Sequence, residues 1–439
     1  MFKNSTDGFL WMESFTNFEK APDLTKRGYR LDRMALLLDC FDNPQNSYRI
    51  IHIAGSKGKG STGAFASSIL IEAGYKTGVY SSPHISDYRE RITVNNSFAT
   101  EEIYLKNMIK IKDLIEGEKY LSLPGGSEPT TFELLTLLSF LVFKDSLCEW
   151  IVLETGLGGR LDATNLVFPE VVLLTPIELE HTDLLGTTIP EIAGEKAGII
   201  KEGKPVFSSK QSDSALKVFM NKAAYLNSPF YYLPDLYKEI IMKTNLSGSD
   251  MEIHWKNGQI IKSRLNMLGE FQSDNSSLAI AGIQHILPDL DNRIIEQGIS
   301  KAKLPGRMEI IGESPVFMID GAHTRQSTEK LLYSFESLFK QKGILIFGSV
   351  SGKDAEAMAE ILAPHFEHII ISRPGTFKKS DPHSLYELFK KRNKNTHFII
   401  DPEEAENKAR ELSRNVLPVL ITGSFYMAAE IRKILKNKG

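Results

Sequence analysis

Ile50 to Thr62 read IIHIAGSKGKGST, and this stretch decides the fold. A β-branched apolar run ends at Gly55. Ser56-Lys57-Gly58-Lys59-Gly60-Ser61 follow, and a helical segment continues to Ala73. A strand feeding a glycine-rich turn that opens a helix is a phosphate cradle. Glycines let backbone N–H groups converge on oxygen anions, the helix N-terminus adds positive potential, and lysine adds a full charge. The general P-loop pattern wants Gly five residues before Gly58, where this chain has Ile53. The plain alternative is a tight strand–helix turn. Two lysines and three glycines in the seven positions from Gly55 to Ser61 exceed what packing asks for.

On either side of this turn, short β-branched runs alternate with helical segments. Strands are expected at Arg49–Ala54, Thr77–Tyr80, Glu149–Glu154, Glu170–Thr175 and Lys204–Phe207. Helices are expected at Gly63–Ala73, Thr131–Lys144, Ile189–Ala197 and Ser214–Leu226. Such alternation implies parallel strands joined by crossover helices. Residues 228–265 are Tyr-rich and polar, with Asn257-Gly258 as a hairpin turn, and read as a small antiparallel patch on the same domain. Lys301 to Gly306 breaks the periodicity and is the expected linker. A second series of strands follows, at Val316–Asp320, Gly343–Gly348, His368–Ser372, His397–Ile400 and Pro418–Thr422. The fold class is therefore α/β. A P-loop ATPase-like domain with a mostly parallel sheet is expected over 1–303, and a Rossmann-like domain over 304–439.

The 439 residues are too many for one core, which also argues for two domains. A composition of 42% hydrophobic and 24% charged residues is that of a soluble globular protein. A net charge of −3 argues against general nucleic-acid binding and leaves room for a local basic pocket. Cys40 and Cys148 lack ligand-like spacing, so neither a disulfide framework nor a zinc site is expected. The N-terminus lacks a signal-peptide pattern, and the most apolar run, Leu134 to Phe143, is too short to span a bilayer. A cytoplasmic monomer without membrane or nucleic-acid partners is expected.

The polar clusters fall at the carboxyl ends of strands, where α/β sheets place ligands. Ser82 follows Tyr80; Glu154 ends an apolar strand; His181 lies just beyond Thr175. A nucleotide there needs Mg²⁺, which takes oxygen ligands, so Ser82 and Glu154 are candidates. Taken alone, Ser82 could cap a turn and His181 could be a structural histidine. Lys196, at a helix end, reads as a snorkelling residue or as a lysine of lowered pKa that takes up CO₂ as a carbamate. Gln272 and Asn275 could hydrogen-bond a nucleotide, and Asp320 could hold a ribose hydroxyl. Arg307 could act on phosphates or form a salt bridge at the domain interface.

In this order, these segments strongly resemble the folylpolyglutamate synthase / dihydrofolate synthase family of the Mur-ligase superfamily. The resemblance rests on the phosphate loop, Ser81-Ser82-Pro83-His84, Arg89-Glu90-Arg91-Ile92 and Thr131-Phe132-Glu133. It continues through Leu153 to Asn165 (LETGLGGRLDATN), Glu180-His181-Thr182 and Glu195 to Lys201 (EKAGIIK). It ends with Pro305-Gly306-Arg307, Asp320-Gly321-Ala322-His323 and Gly423-Ser424-Phe425. The resemblance implies an ATP-dependent ligase that phosphorylates a carboxylate of dihydropteroate or a folate and lets L-glutamate attack the acyl phosphate. It implies that Ser56, Lys57, Gly58, Lys59, Gly60, Ser61, Asn275, Arg307 and Asp320 contact ATP. Ser82, Glu154 and His181 would ligate Mg²⁺, Lys196 would be carbamylated, and Lys59, Lys196, His181 and Arg307 would be catalytic. Gly28, Tyr29, Arg30 and Leu31, with Thr130, Thr131, Phe132 and Glu133 and with Leu161, Asp162 and Ala163, would line the pterin side. Glu180 stands where the family usually has Asp, and Thr324-Arg325 where it usually has Asn-Pro.

Three alternatives stand beside a bifunctional enzyme. One is a folylpolyglutamate synthase alone. Another is a Mur-type peptidoglycan ligase, which needs a nucleotide-sugar domain ahead of the phosphate loop. The last is a non-enzymatic nucleotide sensor.

Overall fold

The computed structural model describes residues 2–17, 30–85, 87–117, 128–375 and 379–438. Its contacts cluster into two units. The first is Met1–Ile241, Met251–Arg264 and Phe271–Ala302; the second is Met242–Asp250, Leu265–Glu270 and Lys303–Gly439.

The first unit holds an eight-stranded sheet. Its strands are β1 (Arg49–Ala54), β2 (Thr77–Tyr80), β3 (Ile92–Val94), β4 (Ser97–Phe98), β5 (Trp150–Glu154), β6 (Val171–Leu174), β7 (Val206–Ser208) and β8 (Phe230–Tyr232). Their order is β4-β3-β2-β5-β1-β6-β7-β8. From β2 to β8 neighbours run parallel, and β3 and β4 add antiparallel edge strands. Apolar residues fill β1, β5 and β6 because parallel strands covered on both faces have no solvent side. Ile51, Ile53, Ile151, Leu153, Val172 and Leu173 are completely buried. In register, Ile53 lies opposite both Glu154 and Leu173, so the tips of β5, β1 and β6 end side by side.

The helix after the phosphate loop spans Lys59–Glu72, starting four residues before the expected Gly63. Glycine's poor helix propensity hides this first turn in the sequence. Two helices, Gln272–Ile286 and Asn292–Lys301, pack against it. The contact with the second helix is backbone to backbone. A Cβ on Gly298 would lie 2.6 Å from Ile69 Cα, and Ser68 Oγ donates to Gly298 O at 2.6 Å.

A three-stranded sheet of order β11-β10-β9 is formed by β9 (Tyr237–Asn245), β10 (Gly248–Trp255) and β11 (Ile260–Leu265). Asn257-Gly258 make the expected turn between β10 and β11, with Gly258 N donating to Trp255 O. This patch does not belong wholly to the first unit. Residues 242–250 and 265–270 cluster with the second, where Ser249 Oγ bonds both Thr244 Oγ1 and Met267 O.

The second unit carries a six-stranded sheet of order β12-β13-β17-β14-β15-β16. Its strands are β12 (Glu309–Ile311), β13 (Phe317–Ile319), β14 (Gly343–Phe347), β15 (Phe366–Ile371), β16 (Thr396–Phe398) and β17 (Val419–Thr422). All neighbours are parallel except β12 with β13. Ile319, Ile344, Ile346, Ile370, Val419 and Ile421 share its core with Met427, Ala428 and Ile431 of the last helix. Among the described residues no helix is long and apolar enough to cross a membrane.

Two glycines test this packing. Gly298→Ala pushes a methyl into helix backbone and is expected to lower stability by about 1–3 kcal/mol, the usual range for overpacking. Gly194 lies within the helix Ile189–Lys196, and a Cβ there would meet nothing within 4 Å. Gly194→Ala should therefore raise stability by roughly 0.5–1 kcal/mol. Denaturant unfolding of the two variants measures both effects.

Candidate functional site

The order β2-β5-β1-β6 sets four carboxyl ends in a row. Ser81 and Ser82 leave β2, Glu154 ends β5, the phosphate loop leaves β1, and Thr175 to His181 leave β6. The phosphate loop is held from behind, because Ser56 N donates to Pro176 O and Ser56 Oγ to Glu178 O. Gly58 takes the N-cap position with φ 86° and offers no capping side chain. The first-turn N–H groups of a 14-residue helix are thus left for an anion. A Cβ on Gly58 would meet Asn275 Oδ1 at 2.3 Å, so glycine is required here on both backbone and contact grounds.

Two lysines converge behind this loop. Lys59 Nζ donates to Gly55 O at 3.0 Å, and Lys196 Nζ donates to the same oxygen at 2.8 Å. Each has a carboxylate partner: Glu154 lies 3.9 Å from Lys59, and Glu180 lies 2.9 Å from Lys196. Lys196 is only 1% exposed. Burial drives its ammonium down to about 8, against the pull of Glu180, and Lys59 pushes in the same direction. Burial by itself would raise Glu180, but Lys196 and then Lys59 outweigh it and hold the carboxyl at about 2. His181 follows Glu180, is exposed, and takes a left-handed conformation with φ 47° at the start of the short helix Thr182–Leu185.

The segments 156–165 and 195–201 pack against each other. A Cβ on Gly198 would lie 2.3 Å from Arg160 Cα, and one on Gly159 would lie 2.9 Å from both Glu195 O and Lys196 O. Arg160 N donates to Glu195 O, its guanidinium pairs with the Glu195 carboxylate, and Asn165 Nδ2 bonds Gly198 O. Asp162 is buried and accepts from Leu157 N and Thr164 N. Ala163 is buried and Leu161 half-buried.

On the adjoining wall, Thr130 and Glu133 close a capping box at the start of the helix Thr131–Asp145. Thr131 Oγ1 donates to Met12 O, and Phe132 packs on Gly156, where a Cβ would come within 2.3 Å of the ring. Glu133 also receives Arg33 Nε at 3.0 and 2.9 Å, a pair with both side chains 6% exposed. Arg33 was not among the expected site residues. It sits in an amphipathic helix, Leu31–Asp39, where an arginine reads as a surface residue. Arg30 precedes that helix and pairs in the open with Asp32, and Leu31 begins it. Gly28 and Tyr29 lie outside the described residues.

In the second unit, Asp320 follows β13 and is 8% exposed. Its carboxylate accepts from Met308 N at 3.0 Å and Ala322 N at 2.8 Å. The Arg307 guanidinium lies over the Phe425 ring, 4.0 Å from its centroid. The two expected contacts are therefore anchored at the carboxyl ends of neighbouring strands, β13 and β17.

Three buried polar atoms around the phosphate loop have no hydrogen-bond partner among the described residues: Thr62 Oγ1, Thr155 Oγ1 and Gln272 Nε2. Such buried groups are uncommon in folded proteins, and here they cluster beside the loop. With the uncapped helix start and two lysines, the residues present fit a polyphosphate. The hydroxyl of Ser82 and the carboxylate of Glu154 are hard oxygen donors suited to Mg²⁺. No group of three or more His, Cys, Asp or Glu that could hold a metal occurs among the described residues, so any metal here also needs the hydroxyl or non-protein oxygens.

Comparison with known proteins gives this geometry a family. Residues 53–283 match the Mur ligase middle domain, and residues 306–425 match the Mur ligase glutamate ligase domain. The chain is 32% identical to the dihydrofolate synthase/folylpolyglutamate synthase of Bacillus subtilis, over 99% of this chain and 100% of that protein. Folylpolyglutamate synthase from Thermotoga maritima superposes with a TM-score of 0.84 at 29% identity, covering 99% of this chain and 97% of that one. The Mycobacterium tuberculosis folylpolyglutamate synthase, solved with ADP and AMPPCP, gives 0.86 at 25% identity, covering 98% and 99%. The chain belongs to the folylpolyglutamate synthase / dihydrofolate synthase family of Mur ligases.

Proposed function

We propose that this chain uses ATP to join L-glutamate to folates, at the γ-carboxylate of tetrahydrofolates and at dihydropteroate as well, through an acyl phosphate. The observation that carries the reading is the uncapped start of the phosphate-loop helix with the Lys59 ammonium beside it. Bringing a carboxylate to a triphosphate joins two anions, and only concentrated, pre-arranged positive charge lowers that barrier. The nucleotide relatives named above support ATP as the donor.

In this reading Ser56, Lys57, Gly58, Lys59, Gly60 and Ser61 form the phosphate cradle: the N–H groups of the helix start, from Gly58 to Ser61, and the Lys59 ammonium hold the phosphates, while the Ser56 and Lys57 N–H groups brace the loop on Pro176 O. Asn275, Arg307 and Asp320 contact the rest of the nucleotide. Ser82, Glu154 and His181 would hold Mg²⁺, which when bound neutralises phosphate charge and polarises the transferred group. Thr130 to Glu133 and Leu161 to Ala163, with Arg30 and Leu31, line the acceptor side. The acceptor carboxylate attacks the terminal phosphorus and ADP leaves. The glutamate amine then attacks the acyl carbon, loses a proton, and phosphate leaves. Residues 1–303 serve as the ATP-binding domain and 304–439 as the glutamate-ligase domain.

Lys196 is proposed to act as a carbamate. A pKa near 8 leaves roughly one amine in ten neutral at pH 7, against about one in three thousand for an ordinary lysine. The neutral amine adds CO₂ and releases a proton, turning a cation into an anion. The ammonium form is the one paired with Glu180 here, so that ion pair competes with CO₂ uptake.

The deciding experiment is phosphate release with ATP, Mg²⁺ and glutamate, comparing dihydropteroate and tetrahydrofolate as acceptors. Release with both supports the bifunctional reading; release with tetrahydrofolate alone leaves folylpolyglutamate synthesis; release with neither ends the proposal. Lys196→Ala is expected to cripple turnover and to recover in part with short carboxylates, while ¹³C-bicarbonate NMR of the wild type shows a carbamate carbon that the variant lacks. Full activity in the variant refutes the role. Arg307→Ala should raise the barrier by about 3 kcal/mol, as loss of one preorganised donor does, read from kcat/KM.

A further inference from the structure

His52 occupies a place that packing alone would give to an aliphatic residue. It stands in β1 between Ile51 and Ile53, directly behind the phosphate loop, and all three are completely buried. A polar residue that breaks the local rule in a parallel core strand points to a task other than packing.

The hydrogen bonds around it have a definite direction. Asp162 receives Leu157 N at 2.8 Å on one carboxylate oxygen and Thr164 N at 3.0 Å on the other. Thr164 Oγ1 lies 2.5 Å from that second oxygen. Burial raises the Asp162 carboxyl while the backbone donors on both oxygens and Thr164 pull it back; as the acceptor of these bonds it takes the single hydroxyl proton of Thr164. Thr164 Oγ1 is then left as an acceptor, and its other partner is His52 Nε2 at 3.0 Å. His52 therefore carries its proton on Nε2. Its Nδ1, which has no partner among the described residues, is a bare acceptor. An unpaired acceptor is easier to bury than an unpaired N–H. Burial also keeps the ring neutral, pulling its pKa down to about 3.

One chain of donors thus runs from the phosphate-loop strand through Thr164 to Asp162, and Leu157 N closes it from the loop that follows Glu154. We propose that His52 and Thr164 are positioning residues for the acceptor side of the reaction: they fix the Asp162 carboxylate, and through it the 155–163 loop, relative to the phosphate loop. Neither touches the reacting atoms. The inference rests on the proposed function for its meaning, but its geometry can be read without substrate.

The test uses the full chain with Thr164→Val, Thr164→Ser, His52→Leu and the Val/Leu double variant. Steady-state kinetics vary tetrahydrofolate and ATP separately, and hydrogen exchange follows the Leu157 amide with no substrate present. Thr164→Val should lower kcat/KM for the folate about tenfold to a hundredfold, the usual loss for a buried hydrogen bond to a charged group, and His52→Leu, which removes a bond between neutral groups, about twofold to tenfold. The KM for ATP should stay within about twofold, and the double variant should be no worse than the poorer single one, as for two links of one chain. Thr164→Ser should restore folate kinetics, and Leu157 should exchange faster in Thr164→Val than in Thr164→Ser. Additive losses, equal losses toward ATP and folate, or unchanged exchange at Leu157 would overturn the proposal. If His52→Leu does not fold, His52→Gln replaces it: near-normal folate kinetics support the donor role, and failure despite normal folding overturns it. A wild-type chain inert toward every folate ends the proposed function, while exchange at Leu157 still decides whether this hydrogen-bond chain holds the loop.

Discussion

Two ammonium groups share one backbone oxygen, and the candidate site is built around that fact. Lys59 and Lys196 both donate to Gly55 O although their charges repel, more strongly in a poorly solvated place than in water. Glu154 and Glu180 offset the repulsion, each beside one lysine. Removing either carboxylate would leave a buried charge uncompensated, which is far more damaging than never having had the pair. The arrangement requires β5, β1 and β6 to end at the same level, which parallel registry provides without any special loop.

The same economy appears in the second unit. Asp320 and Phe425 lie just past the carboxyl ends of two adjacent parallel strands, and backbone N–H groups hold the carboxylate in place. Arg307, in the Gly306 to Met308 segment, lies over the Phe425 ring with its Cζ 4.0 Å from the centroid. A planar guanidinium over an aromatic face is restricted in orientation, which lysine could not reproduce.

Much of this is legible in the sequence, and the failures are physical. β1 and β2 coincide with their expected bounds: β1 is apolar but for Arg49 and His52 and ends at Gly55, and β2, Thr77-Gly78-Val79-Tyr80, ends at Ser81-Ser82-Pro83. β3 and β4 are absent from the expected strands because they have three and two residues. Their signal is Asn95-Asn96, both with positive φ, the pairing a two-residue hairpin turn prefers. β8 and β12 are equally short edge strands. In the site, strand-end residues such as Glu154 can be found because a carboxylate after an aliphatic run is hard to explain otherwise. Partners cannot. Nothing local in the sequence ties Arg33 to Glu133 or His52 to Thr164, since those contacts form only when distant segments fold together. The helix Asn292–Lys301 ends where the sequence loses its periodicity, but the assignment of 242–250 and 265–270 to the second unit depends on tertiary packing alone.

The meeting of Gly58 with Asn275 has a consequence for how such a chain changes over time. The amide oxygen of Asn275 occupies the space a side chain at position 58 would need. The glycine is thus dictated by a helix encoded far downstream as well as by its own backbone. The two segments must be inherited as a matched set. A graft that imports a foreign nucleotide loop without its companion helix would place mismatched surfaces face to face, and recombination between relatives is constrained accordingly.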